Sequence, residues 1–216
     1  MSRAEFRDRF LSRAGQADIV VPDPELDQIQ AYYELITHWN RRINLTALRL
    51  EPLSADTIDR LLIEPLVAAH YVENAPLEWF DLGSGAGSPA FPLKIARPRT
   101  RLTLVESRLK KAAFLREVVR ELRLSEANVS TDRFERLSDS PEVAHSVQVV
   151  TARAVRVDEP MLGAVQKLLV AGGRLLFFGS ESLQLPPTSP LELIDSAGLR
   201  TDGSSRLFIL QAIPSG

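Results

Sequence analysis

Three alternating glycines follow a short apolar stretch and precede a helical pattern, and this arrangement limits what the chain can fold into. The segment 80–89 reads FDLGSGAGSP. Glycine lets the backbone turn sharply and approach a ligand closely. Ser88 and Pro89 suit the N-cap and the first position of a helix, whose N-terminus presents unpaired N–H groups. We therefore expect a strand, a ligand-binding turn and a helix in succession.

The spacing of these glycines separates two classes of nucleotide-binding loop. A dinucleotide fingerprint requires G-x-G-x-x-G, whereas the third glycine comes one residue early in this chain. The spacing instead resembles the first motif of class I S-adenosylmethionine-dependent methyltransferases. Glu106 ends the next apolar stretch, where an acid accepts hydrogen bonds from two ribose hydroxyls. We predict S-adenosylmethionine as the cofactor, in preference to NAD, with a site that includes Asp81, Gly83, Gly85, Gly87 and Glu106.

The order of elements predicts the fold class. Strand-like and helical segments alternate from about residue 77 to 178, which indicates parallel β-α-β units. The predicted strands are 77–82, 102–105, 128–131, 147–151, 173–178 and 206–212, and the helices between them are 91–96, 108–122, 161–170 and a turn at 193–197. We expect an α/β fold of the class I methyltransferase, Rossmann-like type, with a mostly parallel sheet and helices on both faces.

The first seventy-odd residues lack strand patterns. Helical periodicity predicts helices at 2–14, at 23–40 with Asp23 as N-cap, and at 54–72 with a kink at Pro65. We therefore expect an N-terminal helical extension over residues 1–74 and an S-adenosylmethionine-binding, Rossmann-like domain over residues 75–216.

Composition excludes several kinds of chemistry. The 216 residues include no cysteine, which excludes disulfides, thiolate nucleophiles and Cys-ligated zinc, and three dispersed histidines argue against a metal site. The net charge of −2 gives no global basic excess. The charged start and the lack of a long apolar run predict a cytoplasmic chain without a signal peptide or a membrane span.

Five ordered motifs between residues 25 and 180 resemble those of the bacterial glucose-inhibited division protein B family, whose members are 16S ribosomal RNA guanine-N7 methyltransferases. Segment 39–47, WNRRINLTA, is similar to the family's W-N-x-x-x-N-L-T, and segment 83–92, GSGAGSPAFP, to its G-x-G-x-G-x-P-G-x-P. The other three are LVESRLKKAAFL at 104–115, RFE at 133–135 and TARA at 151–154, which resemble D-S-x-x-K-R-x-x-F-L, R-x-E and S-R-A.

The resemblance implies a set of functional residues. The implied cofactor contacts are Gly83, Ser88, Phe134, Glu135 and Arg153. The implied substrate contacts, on 16S ribosomal RNA or a small ribosomal subunit particle, are Asn40, Asn44, Arg60, Lys110, Lys111 and Arg153. Guanine N7 already carries a lone pair, so the expected reaction requires no general base and no catalytic residue is predicted.

Local charge is consistent with an RNA partner. Segment 94–123 carries ten Lys or Arg and three Glu, a local net charge of +7 (10 − 3). One interpretation is that this stretch contacts the phosphates of an RNA. The alternative is a solvated helix face in which arginines and glutamates pair at helical spacing.

Some positions depart from the family pattern. Where the family has a histidine and an Asp-Ser pair, this chain has Leu61 and Glu64-Pro65. Ala90 replaces a glycine of the loop motif, and segment 177–182, FFGSES, lacks the lysine that the family commonly carries there. Two alternatives therefore stay open. One is a methyltransferase retargeted to another RNA or a small molecule, and the other is a non-catalytic, cofactor-binding RNA or ribosome-assembly protein.

Overall fold

The computed structural model describes residues 2–180 and 182–213. Its helices are α1 (Arg3–Gln16), α2 (Asp23–Asn40), α3 (Ala55–Ile58), α4 (Glu64–Ala68), α5 (Ala90–Ala96), α6 (Leu109–Glu121), α7 (Phe134–Leu137) and α8 (Glu159–Leu168). Its strands are β1 (Glu78–Leu82), β2 (Arg101–Val105), β3 (Ala127–Ser130), β4 (Val147–Arg153), β5 (Leu169–Gly179), β6 (Leu191–Gly198) and β7 (Arg206–Ala212). Within this part of the chain, no helix combines the length and apolarity needed to cross a membrane.

The strands form one seven-stranded sheet in the order β3-β2-β1-β4-β5-β7-β6. The first five run parallel, and β7 lies antiparallel to both β5 and β6. The mostly parallel α/β sheet predicted from the alternation is therefore confirmed. Because parallel strands end at the same edge, the loops after β1, β2 and β4 meet there.

Two sequence predictions at the end of the chain are wrong. Segment 193–197 is part of β6 rather than a helical turn, with Leu193 opposite Leu210 of β7. A five-residue segment carries too little periodicity to distinguish a helix from a strand, and its pairing with β7 is nonlocal. Helix α8 ends at Leu168, two residues before the predicted end, because β5 begins at the next residue.

Helices cover both faces of the sheet. Trp79 and Phe80, neighbours in β1, point to opposite faces and belong to two separate apolar clusters. The Trp79 cluster includes Phe114 of α6 and also Phe10 of α1, so the N-terminal helices share a core with the sheet. The other cluster includes Leu162 of α8.

The third predicted helix is interrupted as expected near Pro65. Between α3 and α4 lies a π-helical turn (Asp59–Ile63), and a 3-10 turn (Ala69–Tyr71) follows α4. The predicted N-cap of α2 is wrong by one residue, because Pro22 occupies that position and Asp23 is already helical.

Candidate functional site

The glycine loop follows β1 at the carboxyl edge of the sheet. The carbonyl of Val105, at the end of β2, accepts hydrogen bonds from the N–H of Gly83 at 2.9 Å and of Ser84 at 3.1 Å. Gly87 has a φ of +83°, and a Cβ built there would lie 2.2 Å from the ring of Phe91. A side chain at position 87 therefore has neither a comfortable backbone conformation nor space.

Glu106 lies directly against this loop and is only 6% exposed. Its Oε2 accepts a hydrogen bond from the N–H of Gly85 at 2.9 Å, and its Oε1 accepts one from the N–H of Arg108 at 2.8 Å. A carboxylate oxygen can accept more than one hydrogen bond, so both oxygens of Glu106 keep capacity for further donors. The structure thus brings the predicted loop and the predicted acid together and fixes the orientation of the carboxylate.

Two adjoining cavities open beside Glu106. The larger has a volume of about 690 Å³ and the smaller of about 140 Å³, and Gly83 and Glu106 line both. Phe134 and Glu135, at the start of α7, border the smaller one. The larger is lined by Leu45, Thr46, Ala47, Leu48, Arg60, Leu61, Gly83, Ser84, Gly85, Ala86, Ser88, Glu106, Arg108, Lys111, Arg153, Ala154 and Val155. A combined cleft of this size suits a small-molecule cofactor.

Arg153 ends β4 and supplies a largely enclosed cation to the cleft. Its side chain is 17% exposed, and its Nη2 lies 2.8 Å from Oε2 of Glu64, which is almost fully buried. The guanidinium lies 4.6 Å from the centre of the Phe178 ring and also donates to the carbonyl of Arg60. Burial lowers the pKa of Arg153, and Glu64 opposes that shift. The sequence predicted Arg153 but not the role of Glu64 as its counter-ion.

The π-helical turn between α3 and α4, together with Pro65, leaves two backbone carbonyls available to residues of the site. The N–H of Glu64 donates to the carbonyl of Asp59, one residue earlier than an α-helix requires, which leaves the carbonyl of Arg60 for Arg153. Pro65 has no N–H, which leaves the carbonyl of Leu61 without its helical donor.

Ser88 supplies the hydrogen bond that the carbonyl of Leu61 lacks. Its Oγ donates to the carbonyl of Leu61 at 2.9 Å. The prediction that Ser88 is the N-cap of α5 is therefore wrong. Pro89 is the N-cap, the helix begins at Ala90, and the Ser88 hydroxyl ties the glycine loop to the N-terminal helices instead.

Asp81 lies behind the loop and is 1% exposed. Its Oδ1 accepts a hydrogen bond of 2.5 Å from Oγ1 of Thr151, which in turn accepts one from Nε1 of Trp79. Its Oδ2 has no hydrogen-bond partner within the described part of the chain. Burial raises the pKa of Asp81 to about 6, despite the hydrogen bond from Thr151.

The residues implied as substrate contacts divide into two groups. Arg60 and Lys111 line the larger cavity. Asn40, Asn44 and Lys110 are not among its lining residues in the segments described. Oδ1 of Asn40 accepts hydrogen bonds from the N–H of Leu45 and of Thr46, so Asn40 shapes the wall formed by that loop. Asn44 and Lys110 are exposed.

The basic stretch 94–123 does not form one continuous surface. Lys94 is 1% exposed, and its Nζ donates to the carbonyls of Pro98 and Thr100, so it is unavailable to phosphates. Arg101 and Arg120 pair with Glu78 and Glu121 respectively. Among residues 2–180 and 182–213, no group of three or more His, Asp or Glu is arranged to hold a metal ion.

Comparison with known proteins identifies the family of this chain. Residues 25–184 match the family model described as GidB, rRNA small subunit methyltransferase G. The ribosomal RNA small subunit methyltransferase G of Chloroflexus aggregans is 40% identical over 158 residues, 73% of this chain and 65% of that protein. The protein of that name in Xylella fastidiosa is 41% identical over 157 residues, 70% of this chain and 66% of that protein.

The match therefore spans just under two thirds of the length of these two relatives. Among solved structures, a SAM-dependent methyltransferase from Aquifex aeolicus superimposes with a TM-score of 0.55 at 11% identity, over 70% of this chain and 91% of that one. That likeness confirms the predicted class I methyltransferase fold. On the family match and the identity to these relatives, the chain belongs to the GidB family, rRNA small subunit methyltransferase G.

Proposed function

We propose that this chain is an S-adenosylmethionine-dependent methyltransferase that methylates guanine N7 in 16S ribosomal RNA. The observation that carries the proposal is the carboxylate of Glu106, held 2.9 Å from the N–H of Gly85 where two cavities meet. Family membership supports methyl transfer to small-subunit ribosomal RNA. The choice of guanine N7 rests on the resemblance of five ordered motifs between residues 25 and 180 to those of the family.

The residues of the cleft fit the proposed cofactor. The free acceptor capacity of Glu106 suits two ribose hydroxyls, and the smaller cavity beside Phe134 and Glu135 suits a flat adenine ring. Arg153, which is paired with Glu64, places a guanidinium at the larger cavity, where a cofactor carboxylate would accept hydrogen bonds from its remaining N–H groups. The total volume suits one nucleoside with an amino-acid arm.

The proposed chemistry asks for positioning rather than proton transfer. When bound, S-adenosylmethionine supplies a methyl group on a sulfonium. Guanine N7 carries an in-plane lone pair, so the protein has only to hold the base in line with that methyl group. Among the described residues lining the larger cavity, Glu106 is the one carboxylate and histidine is absent, which is compatible with a reaction without a general base.

The proposed substrate is ribosomal RNA or a small-subunit particle, which also makes a cytoplasmic location the expected one. Arg60 and Lys111 line the cleft, and Arg108 and Lys110 are exposed around the start of α6. Cations in these positions neutralise phosphates near the target base. Asn40 and Asn44 remain proposed substrate contacts, because they precede the loop segment 45–48 that lines the larger cavity.

Mass analysis of ribosomal RNA from a deletion strain tests this function. We expect the loss of a single 7-methylguanosine from 16S RNA, restored by the wild-type gene but not by Glu106→Ala. Glu121→Ala, which removes an exposed glutamate from the end of α6, is the matched control and restores the modification. An unchanged modification pattern in the deletion strain, with cofactor binding retained in vitro, contradicts the proposal and favours the retargeted or non-catalytic alternative.

A further inference from the structure

A buried tyrosine from the N-terminal helices reaches the glycine loop. Tyr32 of α2 is fully enclosed, and its Oη donates to the carbonyl of Ala86 at 2.8 Å. Its ring packs edge-on against Phe91 of α5, with 5.4 Å between ring centres. Residue 32 lies 54 positions before Ala86 in the sequence, so this contact depends on the packing of the extension against the sheet.

With this hydrogen bond, both polar groups of the Ala86–Gly87 peptide have a partner. The carbonyl of Ala86 and the N–H of Gly87 belong to the same peptide plane, and that N–H donates to the carbonyl of Ser84 at 2.6 Å. Gly85 and Gly87 both have positive φ angles, and glycine crosses between backbone regions at little cost. Because Gly87, on one side of this peptide, has no side chain to restrict its φ, the two hydrogen-bond partners are the main restraint on the orientation of the plane.

The orientation of this plane matters because Ala86 lines the larger cavity. Rotation of the peptide would move its carbonyl and N–H and change the polar surface of the cavity wall. Burial raises the pKa of Tyr32, so the hydroxyl keeps its proton and stays a donor throughout the neutral range.

We propose that Tyr32 is a positioning residue for the cofactor loop, in that its hydroxyl holds the Ala86–Gly87 peptide in the orientation that binds S-adenosylmethionine. The inference rests on the proposed function and gives the N-terminal extension a role in positioning the cofactor loop. Tyr32 itself does not line either cavity among the residues described there.

The neighbouring tyrosine provides a matched control. Tyr33 is 5% exposed, lies in the same helix, and its Oη donates to the carbonyl of Leu50 at 2.6 Å. Tyr32→Phe and Tyr33→Phe each remove one hydroxyl and one hydrogen bond to a backbone carbonyl, and each keeps its aromatic packing. The two variants differ in whether the lost bond belonged to the glycine loop.

Two measurements on the full chain test the inference, after circular dichroism has established that both variants are folded. Calorimetric titration with S-adenosylhomocysteine is expected to show a dissociation constant about tenfold higher for Tyr32→Phe, the value of roughly one hydrogen bond, and less than about twofold higher for Tyr33→Phe. Hydrogen exchange of the Gly87 amide is expected to accelerate in Tyr32→Phe alone.

Equal affinities in the two variants, or equal Gly87 exchange, would overturn the positioning role and leave the proposed function standing. Failure of the wild-type protein to bind S-adenosylhomocysteine would overturn the proposed function and the inference with it. A purely structural tyrosine would lower the melting temperature without separating the two variants in ligand affinity.

Discussion

At the scale of single residues, Asp81 is a buried carboxylate with few hydrogen-bond partners. Asp81 lies behind the glycine loop with one carboxylate oxygen paired to Thr151 and the other without a partner in the described residues. An ionised carboxylate in such surroundings is destabilised relative to its protonated form. Its pKa of about 6 expresses that cost.

This pKa makes the stability of the protein depend on pH. Because the folded-state pKa is raised, the contribution of Asp81 to stability is present below its unfolded pKa and is lost as pH rises through about 6. We predict that the free energy of unfolding of the wild type, minus that of Asp81→Asn, falls by about 2 kcal/mol between pH 4 and pH 8. Urea unfolding of both proteins without cofactor measures the difference, and a constant difference would contradict the prediction.

Gly87 is the loop residue with the least tolerance for a side chain. A Cβ there meets the ring of Phe91 at 2.2 Å, and the backbone has a φ of +83°. We predict that Gly87→Ala lowers the free energy of unfolding by about 2–4 kcal/mol, because both the steric overlap and the left-handed backbone add cost.

Gly163 provides the comparison for that substitution. It lies inside α8, and apart from its own helix backbone no described atom lies within 4 Å of a Cβ built on it. Gly163→Ala is therefore expected to stabilise the protein by about 0.5–1 kcal/mol. Similar losses in the two variants, measured by denaturant unfolding, would mean that the local geometry of the loop does not restrict position 87.

At the scale of elements, the interrupted helix between residues 55 and 68 is hydrogen-bonded by residues of the cofactor cleft. The π-helical turn and Pro65 leave two carbonyls without helical donors, and Arg153 and Ser88 supply the missing hydrogen bonds. An interruption near Pro65 followed from the sequence because proline cannot donate a hydrogen bond to the preceding turn. The π-helical turn itself was not predicted. The partners of the free carbonyls were not predicted either, since they lie 27 and 93 positions away in the chain.

A double-mutant cycle tests this pairing. Ser88→Ala leaves the carbonyl of Leu61 unpaired, and we expect a loss of about 1–2 kcal/mol in the free energy of unfolding. Pro65→Ala restores an N–H four residues after Leu61, so the same serine substitution made in that background is expected to cost at least about 1 kcal/mol less. Additive effects of the two substitutions would show that Leu61 does not connect them.

The parallel elements were the most predictable part of the fold. Their apolar strands and amphipathic helices carry local patterns, and the glycine loop with Glu106 follows from the same stretch of sequence. Strand β6 was misread because its five central residues carry no clear period and its identity depends on β7. Glu64 and Tyr32 were missed as site residues because each acts on a residue far away in the sequence, Arg153 and Ala86.

At the scale of the whole molecule, charges connect the two ends of the chain. Asp59, which is 3% exposed, accepts hydrogen bonds from Arg13 of α1 at 2.8 and 2.5 Å. Its Oδ2 also lies 3.5 Å from Nη2 of Arg200, in the turn between β6 and β7. The shared apolar core and this ion cluster both join residues 1–74 to the sheet. The division at residue 74 into extension and domain stays a prediction.

If the glycine loop and Glu106 form an S-adenosylmethionine site, substitution of Glu106 must weaken binding of the cofactor product. Calorimetry of the purified chain with S-adenosylhomocysteine is expected to show micromolar binding in the wild type and in the Glu121→Ala control. Glu106→Ala is expected to weaken binding by at least about tenfold, because it removes the charged acceptor for two hydroxyls. Absence of binding in the wild type, or an affinity unchanged in Glu106→Ala, would mean that the glycine loop and Glu106 do not form this site.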